Sequence, residues 1–191
     1  MTEQTRTKYD GVAMALHWII AVLMIFMIFF GEDLMGEGGE GGEAGEAGQA
    51  LAGTFLPSLH VSLGATILLL TLLRIVWRLM NPPPALPASM LPWEVTLTKV
   101  VHGLFYLLMI GLPITGMMSY GSWLTENSAM SGVAIFGAIP VIQLPNFGLP
   151  SGLLHNVGSK LGMVLVILHV LAALKHQFVN RDGLLARMSP H

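Results

Sequence analysis

The 191-residue sequence contains no cysteine, and charged residues make up only 10 % of it. Without thiols there can be no disulfide, no thiolate-held iron–sulfur cluster and no C-x-x-C-H site for covalent haem. A charged fraction far below the soluble-domain norm of about 25 % leaves too few charges to cover the surface of a water-soluble globule. A formal net charge of -2 gives no footprint for nucleic acid. What the chain has in abundance is apolar: hydrophobic residues reach 53 %. Seven histidines are the main remaining metal-binding and titratable groups.

The apolar residues gather in four blocks, about 13-30, 60-79, 100-120 and 153-174. Each is long enough to cross a hydrocarbon core of about 30 Å at about 1.5 Å per residue. The first is too long for a signal-peptide core and no small-x-small cleavage site follows it, so it reads as a membrane helix. The predicted fold class is an all-α integral membrane protein, a single domain built as a four-transmembrane-helix bundle in a lipid bilayer. Basic residues fix its expected orientation. Arg6, Lys8, Arg74, Arg78, Lys99, Lys175, Arg181 and Arg187 fall on one side, which the positive-inside rule makes cytoplasmic, with both termini there. Glu32, Asp33, Glu37, Glu40, Glu43, Glu46 and Glu126 fall on the other.

Three connections carry signals of their own. Residues 36-48 read GEGGEGGEAGEAG, an acidic low-complexity tract expected to be mobile and solvated. The inner link from Asn81 to Pro92 is proline-rich and stiff. The second outer loop, Ser122 to Pro150, mixes apolar residues with prolines and is expected to lie on the membrane surface and cap the bundle.

The histidines correspond in depth. His155 and His169 share the fourth span, fourteen residues apart, which is a rise of about 21 Å with a return to within about 40° of the same face. His60 opens the second span at the depth of His155, and His17 opens the first at the depth of His169. A histidine inside a membrane helix is functional by default. Two pairs at two levels match the arrangement that holds two haems by bis-imidazole ligation. Imidazole also suits copper or zinc, though two nitrogens alone make a sparse zinc site. Hydrogen-bonded core histidines are the structural alternative.

Neighbouring residues fit either reading. Gly64, one turn below His60, and Gly158 and Gly162 on the fourth span would let a flat macrocycle or a packed helix approach. Gly31 and Gly116, each fourteen residues after a histidine, would leave room for a haem at the opposite level. Arg74 lies fourteen residues after His60 and would point inward, able to pair with haem propionates or to snorkel to headgroups. Arg78, a turn further on, snorkels or meets a propionate or quinone. His102 and His176 are expected to be shallow, bordering a quinone site or bonding a propionate. Lys160, about 140° from the His155 face, would snorkel or attract an anionic reactant. His191 is terminal.

Taken in order, these segments resemble the bacterial cytochrome b561 family, and within it the short superoxide oxidase-like members. The resemblance runs from about Tyr9 to Pro190. It rests on YDGVAMALHWIIAVLM with its His-Trp pair, LPSLHVSLGATILLLTLLRIVWRLMNPPPALP with two arginines and a proline-rich exit, VVHGLFYLLMIGLPITGMMSY, and LLHNVGSKLGMVLVILHVLAALKHQFVNRDGLLARMSP with its fourteen-residue histidine spacing. The resemblance implies two non-covalent haem b groups, the inner held by His17 and His169 and the outer by His60 and His155. It implies an oxidoreductase of the bacterial inner membrane that takes electrons from superoxide on the periplasmic side and gives them to ubiquinone, forming ubiquinol. One feature departs from this: an anionic substrate is steered by positive charge, yet the first outer loop carries six acids. The alternative is an electron relay between quinol or quinone and a basic periplasmic redox protein that docks on that loop.

Overall fold

The computed structural model describes residues 7–35, 51–126 and 131–189. The acidic tract 36-48 and His191 lie outside them. Four long helices dominate: α1 (Gly11–Leu34), α2 (Leu56–Met80), α3 (Pro92–Glu126) and α4 (Ser151–Lys175). A π-helical turn, Leu51–Phe55, leads into α2, and another, His176–Asn180, extends α4. All four are long and apolar enough to cross a membrane. The chain is therefore a four-span membrane bundle, as its apolar blocks predict.

Each helix is longer than its apolar block, and at α1 and α3 polar or proline residues at the N-terminus account for the extension. Asp10 starts α1: its carboxylate accepts the N–H of Ala13 (2.9 Å) and the indole N–H of Trp77 on α2 (2.9 Å). Pro92 opens α3, eight residues before the expected start, where its missing N–H costs nothing. Glu94 then accepts the Leu91 N–H (3.0 Å). Pro113 sits inside α3, tolerated in a membrane helix where neighbours satisfy the freed backbone groups.

The helices form two antiparallel pairs, α1 with α2 and α3 with α4. On α1 the inward stripe runs His17, Ile20, Met24 and Gly31, at helical spacing. Ile20 and Met24 meet Ile67 of α2 and Met109 of α3 in the buried core, flanked by Leu23, Met27, Ile28, Leu70, Phe105 and Tyr106. Large apolar residues such as Val22, Phe29, Leu69, Leu107 and Leu171 face outward, where a bilayer is their solvent.

At the basic end, the stretch after α4 straps the bundle shut. His176 Nδ1 forms a buried hydrogen bond with Asp182 (2.5 Å), and Asn180 lies 3.2 Å from the same nitrogen. The Tyr9 N–H donates to the Arg187 carbonyl (3.2 Å), the Trp18 indole to that of Met188 (2.9 Å), and the Arg187 guanidinium to that of Ala85. Lys175 pairs with buried Glu94 and lies over the Trp93 ring, tying the end of α4 to the start of α3. At the far end, the loop before α4 contains a two-stranded antiparallel hairpin, β1 (Ala134–Ile135) and β2 (Ile139–Pro140), which the sequence did not announce.

Partial burial raises the Asp10 carboxyl, but the Ala13 and Trp77 hydrogen bonds outweigh it and hold the group below the ordinary carboxylate range. Its contribution to stability is thus complete above the unfolded-state value and lost as pH falls through the folded one. Asp10→Ala should cost about 1–2 kcal/mol. A lowered melting temperature in detergent at neutral pH, with the gap to the parent closing in acid, is the expected result.

Candidate functional site

Two tiers of imidazoles lie between the helix pairs. In the far tier, His60 of α2 faces His155 of α4, with ring centroids 6.0 Å apart. Each is oriented by a backbone carbonyl of a neighbouring helix. His60 Nδ1 is 3.0 Å from the Gly31 carbonyl oxygen of α1, and His155 Nδ1 is 2.9 Å from that of Leu112 on α3. A carbonyl can only accept, so Nδ1 carries the proton in both rings and Nε2 keeps its lone pair. Thr115 Oγ1 stands 3.4 Å from His155 Nδ1 and donates to the Gly111 and Leu112 carbonyls.

Gly31 and Gly116 lie against the far-tier rings. A Cβ on Gly31 would lie 3.5 Å from His60 Cε1, and one on Gly116 would lie 3.3 Å from His155 Cε1. These glycines let the far-tier imidazoles rest against the helix backbone, at the level opposite His17 and His102. Gly158 is likewise a packing residue, since a Cβ there would come within 2.8 Å of Leu112 Cδ2 of α3. Gly162 makes ordinary contact with Ile28 and Leu108. Gly64 differs: a Cβ there would meet nothing within 4 Å, so close helix packing does not account for it.

In the basic-end tier, His17 of α1 faces His169 of α4 at 6.4 Å. His102 of α3 is 5.6 Å from His169, and Phe105 is 5.4 Å from it. His102 is thus not shallow. It shares the level of His169, ten residues after the start of α3 at Pro92. Arg74 of α2 exerts its field on His17, His169 and His102, and its Nε donates to the Tyr106 hydroxyl (3.3 Å). Arg74 therefore turns inward. Arg78 acts on His102 as well and lines, with Tyr9, Arg74, Trp77, Asn81 and Tyr106, a small cavity of about 20 Å³. Thr71, one turn above Arg74, is fully buried, and its Oγ1 is without a hydrogen-bond partner among the described residues.

The remaining candidates lie apart. His176 is engaged by Asp182 beyond the basic-end tier. Lys160 is exposed on the outer surface of α4. A larger cleft of about 540 Å³ at the far end of α3, bordered by Met118, Thr125, Gln143 and Asn146, carries no charged side chain. Sequence reasoning missed Tyr106, Thr71 and Thr115. Tyr106 is four residues after His102 and Thr71 three before Arg74, so each shares a helical face with a residue already singled out.

Two imidazoles that bind one metal ion from opposite sides, through bonds of about 2 Å and with about 1 Å from nitrogen to ring centre, have centroids about 6 Å apart. Both facing pairs meet that spacing. Among the described residues no cluster of three or more histidine, cysteine or acidic side chains is placed to hold a bare metal ion. Paired donors without further ligands suit an ion whose other positions are filled by a macrocycle.

Comparison with known proteins agrees: the family model for prokaryotic cytochrome b561 matches residues 8–191. The chain belongs to the prokaryotic cytochrome b561 family. It is similar to a probable superoxide oxidase CybB of Yersinia pestis, 29 % identical over 185 residues that cover 96 % of both chains. It is also similar to cytochrome b561 homolog 2 of Escherichia coli (strain K12), at 27 % identity over 96 % of this chain and 92 % of the relative. Cytochrome b562 of Cereibacter sphaeroides is 29 % identical over 94 % of each. As a b561 family member the chain is a multi-pass bacterial membrane protein and an electron-transfer oxidoreductase, and the family implies b-type haem. The imidazole spacing and tautomers fit such a group.

The far tier provides a selective test. Gly116→Val places a branched side chain against His155 and should disturb that tier alone. The expected readout is an altered low-spin haem signal in the electron paramagnetic resonance spectrum of the holoprotein.

Proposed function

We propose that this family member is a dihaem cytochrome b that takes electrons from superoxide at its far face and gives them to ubiquinone at its basic end. The observation that carries this reading is the two facing imidazole pairs at two depths, 6.0 and 6.4 Å between centroids. His60 and His155 would hold the outer haem, and His17 and His169 the inner. His17 is preferred over His102 as the partner of His169, because His102 and His169 belong to the same helix pair. The other two pairs span the gap between helix pairs, where a macrocycle has to sit.

Bound haem supplies one-electron redox chemistry, so the chain needs no nucleophile of its own. Its residues set position and environment. The Gly31 and Leu112 carbonyls hold the far-tier protons on Nδ1, which aims Nε2 at the metal position and makes it a stronger donor. The apolar stripe of Ile20, Met24, Ile67 and Met109 keeps water from the space between the tiers. Arg74 offers a guanidinium to a propionate or quinone oxygen, with Tyr106 fixing its direction. Thr71 Oγ1 offers a hydroxyl beside it. Arg78, His102 and the cavity against Tyr9 and Trp77 support the reading of the basic end as the quinone side. The net reaction balances: two superoxide ions each lose one electron and leave as dioxygen, and ubiquinone takes up both electrons and two protons. Lys160 is exposed rather than aimed between the far-tier histidines, so it serves at most as a distant attraction for the anion.

The six acids between Glu32 and Glu46 support a second reading, an electron relay that docks a basic partner protein on the far face. Orientation follows the positive-inside argument, with both termini cytoplasmic.

His155→Ala should remove one haem and spare the other, read as a halved haem-to-protein ratio in the pyridine haemochrome spectrum; retention of both overturns the outer pair. Stopped-flow mixing of the oxidised protein with superoxide should reduce the haems. Haems that stay oxidised beyond the spontaneous dismutation background leave only the relay. Deleting residues 36-48 should leave the superoxide reaction intact or faster, whereas a relay would lose affinity for its basic partner.

A further inference from the structure

The β1–β2 hairpin is attached to α2 in an unexpected place. The Ala134 N–H donates to Ser58 Oγ (3.1 Å) and the Phe136 N–H to Ser62 Oγ (2.7 Å). Ser58 and Ser62 lie two residues to either side of His60. At about 100° per residue, they are about 200° from it, on the opposite side of α2. His60 faces the bundle interior, so the hairpin runs along the outside of the helix.

It also descends. Its first strand contacts Ser58 and then, a turn deeper, Ser62. Arg78, a basic anchor near the other end of α2, is sixteen residues below Ser62, about 24 Å at about 1.5 Å per residue. A hydrocarbon core of about 30 Å measured from Arg78 therefore extends past the hairpin tip.

The hairpin has the composition and hydrogen bonding that such a position demands. No charged residue occurs from Asn127 to Ser159. Phe136 at the tip is 68 % exposed and Ile139 54 %. Phe136 and Gly137 both have left-handed φ, 52° and 66°, the geometry of a tight type I′ turn. Backbone groups within lipid must find partners in the protein. Here the two serine hydroxyls take N–H groups that the ladder leaves over, and the turn closes with Gly137 N–H to Ala134 O and Ala138 N–H to Ile135 O, both 3.2 Å. Ser62 in turn donates to the Ser58 carbonyl. Val133, just before β1, is buried against the bundle.

We propose that the Ala134–Pro140 hairpin is a re-entrant element seated among the acyl chains of the far-end leaflet, with Phe136 and Ile139 in contact with lipid. It braces the helix that carries His60 from the lipid side. The occupant of the exposed apolar tip is lipid rather than a protein partner, because the tip continues the uncharged surface of the spanning helices at their own depth.

The absence of native cysteine makes the test direct. Phe136→Cys and Ile139→Cys, each carrying a nitroxide, are reconstituted as holoprotein in phosphatidylcholine liposomes, with Glu126→Cys at the exposed end of α3 as the aqueous reference. Soret absorbance confirms that each variant retains its fold. At both hairpin positions, collision with lipid-soluble dioxygen should exceed collision with a water-soluble nickel complex, the reverse of the order at 126. Nickel accessibility equal to that at 126 overturns the proposal by placing the tip in water. Protection from both relaxants also overturns it, by placing the tip in a protein interface. If Phe136→Cys does not fold, Ile139→Cys decides alone by the same criteria.

Discussion

Burying an imidazole in a membrane bundle leaves two ring nitrogens to satisfy where no water is at hand, and this constraint organises the structure. In the far tier the chain orients the rings through its own backbone. His60 and His155 each give their Nδ1 proton to a backbone carbonyl of an adjacent helix, 3.0 and 2.9 Å away. That tautomer leaves a lone pair on Nε2 of each ring, and the two ring centroids stand 6.0 Å apart. A metal ion held between two such nitrogens is what the spacing admits.

The rest of the bundle follows from holding the tiers at fixed depth. The far-tier rings lie close against the backbone at Gly31 and Gly116, and at Gly116 a Cβ would crowd His155 at 3.3 Å. Gly158 lets α3 and α4 approach, which sets the register between Leu112 and His155. The core of Ile20, Met24, Ile67 and Met109 fills the level between the tiers. At the basic end, the Glu94–Lys175 and His176–Asp182 pairs close the helix ends, where loosening would shift His102 and His169 in depth. A buried ion pair is weak evidence for net stability, but its geometry is specific, and specificity of register is what two tiers require.

Much of this was legible in the residues. Four apolar blocks predict four spans because hydrocarbon thickness fixes the length of a crossing helix. The fourteen-residue spacing of His155 and His169 predicts one face at two depths because helical rise and twist are constants. The same regularity marks His17, His60 and Arg74 as inward. The His102 depth was misjudged because a position along one helix does not say which residues of another helix share its level. Packing of α3 on α4 places His102 beside His169.

The sequence by itself determined the solvent, the number of crossings and the periodic positions of the histidines, because each depends only on composition and on helix geometry along one chain. Tertiary structure alone decided the tautomers of His60 and His155, the packing roles of Gly31, Gly116 and Gly158, the turn of Arg74 toward Tyr106, and the course of the hairpin along α2. Those depend on which atoms of different helices come within a few ångströms of each other. No one-dimensional pattern encodes that distance, because it results from all four helices packing at once.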